Sequence, residues 1–475
     1  MNAADPRRWW ALIVLAAAQF MVIMDTSIIG VALPDMQRDL GFSQGSLQWV
    51  FNAYVIAFGG LLLLGGRLSD LLGARRVFTA GWVILIAGSV VAAAAGNAWV
   101  EILGRGIQGV GGALIAPASM TLLMMLFGQN PRELGKAMAL YGAAAPAGGT
   151  AGVFLGGVIT EYLSWPWVFI VYIPIGLATL VAVPRLLPAT QGRRGSVDIL
   201  GAIAVTAGIA LAVYAIARAP EQGWGTTVWQ AGLALALLVG FLLIQRAVRE
   251  PLMPLGIWKT PGLATGNIAM ALLGAAWIPM WYILNLYLQQ VLGYGAFASG
   301  AALVPMTIAI MIFMIGITAR LLGRFGAKPL IVLGLLVLAA GVLSLSLVRA
   351  DGSFATDVLP ASLVAAVGMS LAYIPAMMSA IGGARPEESG LASGIVNTTY
   401  QVGSALGLAV MTAIATSRGA AELGNIPRLT EGFQAAFVGA GVVAALGGVL
   451  TLVLMRRPKP VTGEGGQRKR ESLAA

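Results

Sequence analysis

The strongest constraint on this chain is a recurrent pattern of apolar runs, each about 20 residues or longer, separated by short stretches rich in Gly, Pro and Arg. At 1.5 Å of rise per residue such a run makes a helix of ~30 Å, the thickness of bilayer hydrocarbon. Backbone groups inside hydrocarbon find partners only in helices or closed barrels, and unbroken apolar runs fit helices. The 475 residues therefore predict an all-α integral membrane protein. Composition agrees: 10% of the residues are charged, against about 25% in an ordinary soluble domain. The first run, roughly 10–34, is too long for a signal-peptide core and lacks a small-residue cleavage site, so it reads as a retained span.

Charges, Pro/Gly turns and apolar runs divide the chain into fourteen predicted spans. They lie near 10–34, 47–66, 77–96, 100–127, 135–159, 166–187, 197–217, 226–247, 263–291, 298–321, 329–348, 358–382, 391–416 and 433–456. An even count puts both termini on one side. Of 29 Lys and Arg, twenty-three fall on that side, including Arg193, Arg194, Arg385 and six between Arg456 and Arg470. Five lie opposite and one, Arg105, falls inside a span. This bias places both termini in the cytoplasm and the chain in the inner (plasma) membrane. The net charge of +10 thus reads as a topology signal, not as a nucleic-acid surface. Cys and His are absent, which excludes thiolate chemistry, disulfides, Cys/His metal sites and imidazole proton shuttles. Proton handling is left to carboxylates.

The chain also repeats itself weakly. Residues 66–77 (GRLSDLLGARRV) and 319–330 (ARLLGRFGAKPL) share Arg67/Arg320, Leu68/Leu321, Gly73/Gly326 and Ala74/Ala327 at an offset of 253. At an offset of 255, Gly135/Gly390, Ala137/Ala392, Gly148/Gly403 and Gly152/Gly407 align span 5 on span 13. The expected organisation is an N-terminal six-helix bundle over 1–187, a two-helix insertion over 188–262, a C-terminal six-helix bundle over 263–456 and a basic tail over 457–475. Parallel six-span halves with a site between them describe a common secondary-transporter plan.

Several motifs carry a closer likeness. Span 1 ends in Met24-Asp25-Thr26-Ser27 running to Ala32-Leu33-Pro34; residues 66–76 form a basic turn after span 2; span 4 holds Arg105, Gln108 and Gly109. Trp165-Pro166-Trp167 opens span 6, and Tyr287-Leu288-Gln289-Gln290 and Asn397-Thr398-Thr399-Tyr400-Gln401 follow later. Together these resemble the fourteen-span drug:proton antiporters of the major facilitator superfamily. The resemblance covers nearly the whole chain and implies two six-helix bundles plus two additional spans. It departs in span 5, where Gly152 leads to Val153, Phe154, Leu155, Gly156 and Gly157 without the family's Gly-Pro pair.

Asp25 lies about nine residues, or ~13 Å of helix, from Pro34. A charged carboxylate so far from water is costly, and such acids mark proton or substrate paths. Arg105, ~9 Å into span 4, is its natural counterpart, and the resemblance implies that it acts on a nearby acid. Glu101, one turn nearer the outer surface, is the other candidate partner. The resemblance makes Gly66, Arg67, Asp70, Gly73, Arg75 and Arg76 a cytoplasmic latch, in which Asp70 can accept hydrogen bonds from arginines. Gly148, Gly149, Gly152, Gly156 and Gly157 form a span 5 seam, for sliding or for plain close packing. Trp277, Trp281, Asn285 and Gln289 share one stripe of span 9, either core or an aromatic wall for a cationic substrate. Asn52, Tyr54, Gln108, Asn397 and Gln401 are further polar substrate-binding candidates.

The expected protein is thus not an enzyme. It is a monomeric secondary transporter in the lipid bilayer that exports hydrophobic, cationic or aromatic small molecules against inward proton flow, with the proton as coupling ion and no other cofactor or metal. The alternative is a symporter or facilitator for a small metabolite.

Overall fold

The computed structural model describes residues 7–189, 192, 195–384 and 388–455. The basic tail expected over 457–475 lies outside the described residues, as do Arg456, Arg193, Arg194 and Arg385 of the charge count. Among the described residues all regular structure is helical. In chain order the main helices are α1 (Arg7–Leu40), α2 (Trp49–Leu72), α3 (Ala74–Ala93), α4 (Ala98–Phe127), α5 (Pro131–Tyr162), α6 (Tyr172–Leu186) and α7 (Ile199–Gln222). They continue as α8 (Trp224–Ala247), α9 (Leu263–Leu286), α10 (Ala296–Ile312), α11 (Ala327–Leu345), α12 (Leu359–Ile381), α13 (Ser389–Ala415) and α14 (Ile426–Leu454).

Twelve helical stretches among the described residues are long and apolar enough to cross a membrane. The reading of fourteen spans is therefore carried by twelve; α10 and α13 are the exceptions. Helix α10 has 17 residues before its backbone widens into a π turn at Phe313–Ile317 and resumes over Thr318–Phe325. Helix α13 is 27 residues long but carries Ser393, Asn397, Thr398, Thr399, Gln401 and Ser404, which lower its apolar character.

The predicted charged turn between spans 2 and 3 is shorter than expected. Gly66, Arg67 and Asp70 belong to the last turns of α2, and Arg75 and Arg76 to the first turn of α3. Gly73 alone separates the helices, at φ 92°. Gly326 does the same between the Thr318–Phe325 helix and α11, at φ 79°. An L side chain costs ~1–2 kcal/mol in this left-handed region, which is why glycine stands at both corners.

Close helix pairs form around glycine. A methyl group on Gly88 of α3 would stand 2.9 Å from the Gly104 carbonyl oxygen of α4, and one on Gly341 of α11 would stand 2.9 Å from the Ala361 carbonyl oxygen of α12. Gly81 meets Gly111 as Gly334 meets Gly368. Gly148 and Gly152 of α5 lie on the Phe20 and Met24 carbonyls of α1, while Gly403 and Gly407 of α13 lie on the Ala271 and Ala275 carbonyls of α9. Without a hydrophobic force between helices in lipid, such backbone approach supplies the dispersion contact that holds them. Helix α5 also packs on α10, and α2 on α13. Helix α7 leans on both α2 and α13, with Thr206 against Gly60.

Candidate functional site

Helix α4 starts at Asn97, whose side chain caps the Val100 N–H at 3.1 Å, and from there Glu101, Arg105 and Gln108 fall on one face at helical spacing. That face turns inward: all three side chains are fully buried. Asp25 of α1, 1% exposed, meets Arg105 there, with Oδ2 2.7 Å from Nη1. The structure thus pairs Arg105 with Asp25 and not with Glu101. Glu101 is buried as completely as Asp25, on the inward face of the first turn of α4.

Arg105 is held from several directions. It donates Nε–H to the Val50 carbonyl oxygen at 2.9 Å and Nη1–H to Gln108 Oε1 at 2.6 Å, and Gln108 in turn donates to Ser89 Oγ at 2.8 Å. Its guanidinium lies over the Tyr54 ring at 4.7 Å and near the Phe169 ring at 5.8 Å. The Tyr54 hydroxyl reaches the Val22 carbonyl oxygen at 3.4 Å. Asp25 has no such support: apart from Arg105, no described residue bonds either of its oxygens, so Arg105 is what holds it. An uncompensated charge at this depth costs several kcal/mol, so the two charges depend on each other. A proton on Asp25 removes its grip on Arg105 while leaving Arg105 its other partners. The arrangement is a charge pair that one proton can open.

Other sequence-predicted residues lie around this centre. Asn52, fully buried, donates to Gln48 Oε1 at 3.2 Å. On α9, Trp277 and Trp281 are buried, and the Trp281 ring fills the space above Gly30 of α1, so Trp281 acts as core at that point. Asn285 donates to the Trp281 carbonyl oxygen at 2.9 Å and Gln289 to the Val31 carbonyl oxygen at 2.9 Å. Asn397 bonds the Ser393 carbonyl oxygen at 2.9 Å within α13, and Gln401 lies against Gly59 of α2. Gly148, Gly152 and Gly156 pack on the backbone of α1, Gly157 on Ala296 and Phe297 at the start of α10, and Gly149 near Ser27. Through Trp281 and Gln289 the α9 stripe thus meets α1 at Gly30 and Val31, one helical turn or more beyond Asp25.

The expected latch pairs differently from its sequence reading. Asp70 is exposed and makes no ion pair among the described residues. Arg67 instead reaches Glu250, beyond α8, with Nη2 2.5 Å from Oε2, and donates Nε–H to the Ser196 carbonyl oxygen at 3.3 Å. Hydrogen bonds from the Ser196 backbone N–H at 2.5 Å and hydroxyl at 3.0 Å, together with Arg67, hold the Glu250 carboxyl below its ordinary range. Asp198 caps α7 at the Gly201 N–H and accepts from Gln245 of α8 at 2.6 Å, tying the feet of that helix pair.

Sequence reasoning missed a clasp of amides at the end of the bundle holding the α1–α2 turn. Gln37 donates to Gln44 at 2.9 Å, Gln44 to Gln290 at 3.2 Å, and Gln290 to Gln37 at 2.9 Å. Near it the Phe297 N–H bonds Glu161 at 3.3 Å. Gln37 and Gln44, beside a loop, look like ordinary surface residues, and the motif that holds Gln290 gave no sign of what it bonds.

The sequence profile of the Major Facilitator Superfamily matches residues 15–408, and again 372–474. The chain is 38% identical to a puromycin resistance protein of Streptomyces alboniger, over 97% of this chain and 94% of that protein. It is 38% identical to a cephamycin export protein of Amycolatopsis lactamdurans, over 94% and 92% respectively. Among solved structures, a nucleoside transporter superposes with a TM-score of 0.66 at 15% identity, covering 93% of this chain and 98% of that one. The human organic anion transporter MFSD10 gives 0.61 at 17%, covering 94% and 100%, and both likenesses speak for the fold.

Proposed function

The chain belongs to the Major Facilitator Superfamily, a family of transporters, and from that premise we propose that it exports hydrophobic, cationic or aromatic compounds in exchange for protons by alternating access. Similarity to proteins named for antibiotic resistance and export supports the direction of transport. The observation that carries the proton part is the buried Asp25–Arg105 pair, the charge switch that such exchange requires.

In this reading both termini are cytoplasmic and the α1–α2 turn faces outward. Fourteen spans are present: α10 with its continuation to Phe325, and the 27-residue α13, each exceed the ~30 Å of hydrocarbon. They form two six-helix bundles, 1–187 and 263–456, joined by the insertion 188–262, and work as a monomer in the plasma membrane. The glutamine clasp then closes the outer face. Asp25 takes up a proton when the outer face opens, lets go of Arg105, and releases the proton inward when the bundles rock the other way. Asn52, Tyr54, Gln108, Trp277, Asn285, Gln289, Asn397 and Gln401 line the substrate path. One deeply placed acid limits how much charge is exchanged per cycle, which favours monovalent or neutral substrates. No metal or organic cofactor takes part.

The test is ethidium transport in proteoliposomes under an imposed pH gradient, wild type against Asp25→Asn. Uphill movement that needs the gradient in wild type and is lost in the variant supports the reading. Downhill movement alone in wild type, or full coupling in Asp25→Asn, overturns it.

A further inference from the structure

Glu101 is the buried acid that the exchange cycle above leaves without a task. Both of its carboxyl oxygens are buried and lack a hydrogen-bond partner among the described residues, and so does Arg105 Nη2. The two residues are one helical turn apart on the same face, which puts their Cβ atoms about 5–6 Å apart. The charged and titratable groups around Glu101 are Arg105 on its own helix and Asp25 from α1; Tyr54 from α2 and Tyr172 from α6 border the same ion pair. Helix α3 contributes only the neutral Ser89, through Gln108.

Charge counting limits what this cluster can hold. Two carboxylates and one guanidinium leave a net negative charge with no further base near it, an arrangement that burial penalises heavily. One proton shared between the two acids makes the trio neutral. In the present arrangement Arg105 meets Asp25 and Glu101 is unpaired, so Glu101 is the acid on which that proton breaks no ion pair.

We propose that Glu101 is the outer proton port of the transporter, and that it and Asp25 exchange one proton and one arginine. The inference rests on the antiport reading and on its orientation, in which Glu101 lies between Arg105 and the outer surface. With the outer face open, Glu101 carboxylate takes a proton from a hydronium ion and leaves water. The protonated Glu101 then gives its proton to Asp25 carboxylate. The O–H bond at Glu101 breaks as the one at Asp25 forms, and Arg105 passes from Asp25 to the new Glu101 carboxylate through its unengaged Nη2. The trio stays neutral from uptake of the external proton until its release inward. With the inner face open, Asp25 releases the proton to the cytoplasm and recovers Arg105. Glu101, again unpaired and charged, is ready for the next external proton. Each cycle brings in one proton.

The test uses full-length protein in oriented proteoliposomes with ethidium as probe, comparing wild type, Glu101→Gln, Glu101→Asp and Asp25→Asn. Gradient-driven extrusion in Glu101→Gln is expected to fall at least tenfold and to lose its dependence on external pH. Ethidium counterflow at symmetric pH should stay within twofold of wild type, and Glu101→Asp should restore external pH dependence. Wild-type gradient-driven rates in Glu101→Gln overturn the proposal. So does equal loss of counterflow and coupling with no rescue by Glu101→Asp, because that pattern marks a packing role. If wild type itself ignores the gradient, the antiport reading falls and takes the port with it. If wild type is coupled and Asp25→Asn uncoupled while Glu101→Gln is normal, only the port is lost.

Discussion

Helices α1–α6 and α9–α14 are held by the same contacts and filled with different chemistry. Gly81, Gly88, Gly148 and Gly152 press on partner backbones as Gly334, Gly341, Gly403 and Gly407 do. Carried across these matching seams, Asp25 corresponds to Ala276 and Arg105 to Ser362. Ala276 is fully buried, and the Ser362 hydroxyl turns back to the Leu359 carbonyl oxygen at 2.9 Å. Packing of helix backbones is therefore common to both sets, while the buried charge belongs to one. Close helix approach depends only on small residues at fixed spacing and can be duplicated without harm. A buried ion pair is costly to form and more costly to break, so it persists where it is used.

The sharpest way to break this comparison is to remove one charge. Arg105→Gln leaves Asp25 uncompensated and is expected to abolish coupled transport and to cost about 3–5 kcal/mol of stability. Thermal unfolding in detergent measures the second effect. The double variant Asp25→Asn/Arg105→Gln should recover most of the stability and none of the coupling. Ser362→Ala, at the matching place in the other set, should cost under about 1 kcal/mol. Comparable losses from Arg105→Gln and Ser362→Ala would remove the asymmetry.

Next in size is a test of the shared part. Gly148→Val and Gly403→Val each put side-chain atoms where a carbonyl oxygen now lies, of Phe20 and of Ala271. Each should cost about 1–3 kcal/mol by overpacking, and the two should match within about 1 kcal/mol. A large loss at one and none at the other would mean that the seams only look alike.

A smaller effect is expected where the two sets meet. Gln290→Ala removes the amide that bridges Gln37 and Gln44, worth about 1 kcal/mol. That amount multiplies the population open at the α1–α2 end by roughly five. The chain has no cysteine of its own, so maleimide labelling of Val31→Cys reports this opening directly. Labelling should quicken several-fold in Gln290→Ala, and an unchanged rate would show that the clasp does not hold the end shut.

Much of this was legible in the sequence, and the pattern of what was not has a physical cause. Apolar run length gives helices, and an interior Asp and Arg in a chain of such composition have few places to go but each other. The corner glycines Gly73 and Gly326 announced themselves by their surroundings. What stayed hidden depends on distant segments meeting. Nothing near Arg67 points to Glu250, 183 residues away, and Asp70, three residues on, looked the better partner until the helix was seen to carry it into solvent. Trp281 reads from its spacing as core or as a substrate wall; Gly30 opposite it decides for core. Helix α13 was legible as a span near 391–416 despite its polar composition; what was not legible is that its Ser, Thr and Asn side chains bond inside the helix and between helices.

The smallest expected effect lies at the α2–α3 corner, where the two sets differ again. Arg67 is engaged by Glu250 and Ser196, whereas Arg320, its match after α10, is exposed and without an ion pair among the described residues. Glu250→Gln removes a contact near the surface, where side-chain entropy and screening offset most of the attraction, so the melting temperature should drop only slightly at neutral pH. The sign with pH follows from the Ser196 hydrogen bonds and Arg67, which hold the Glu250 carboxyl below its usual value of about 4.5. A carboxyl depressed in the folded state stabilises it above the unfolded value and ceases to do so as pH falls through the folded one. The gap between wild type and Glu250→Gln should therefore be constant from neutral pH to about 5 and close below about 4.5. Arg320→Gln should show no gap at any pH. A gap that widens toward acid, or an equal one for Arg320→Gln, would mean that the corner of α2 owes nothing to the segment after α8, and that its basic residues serve topology alone.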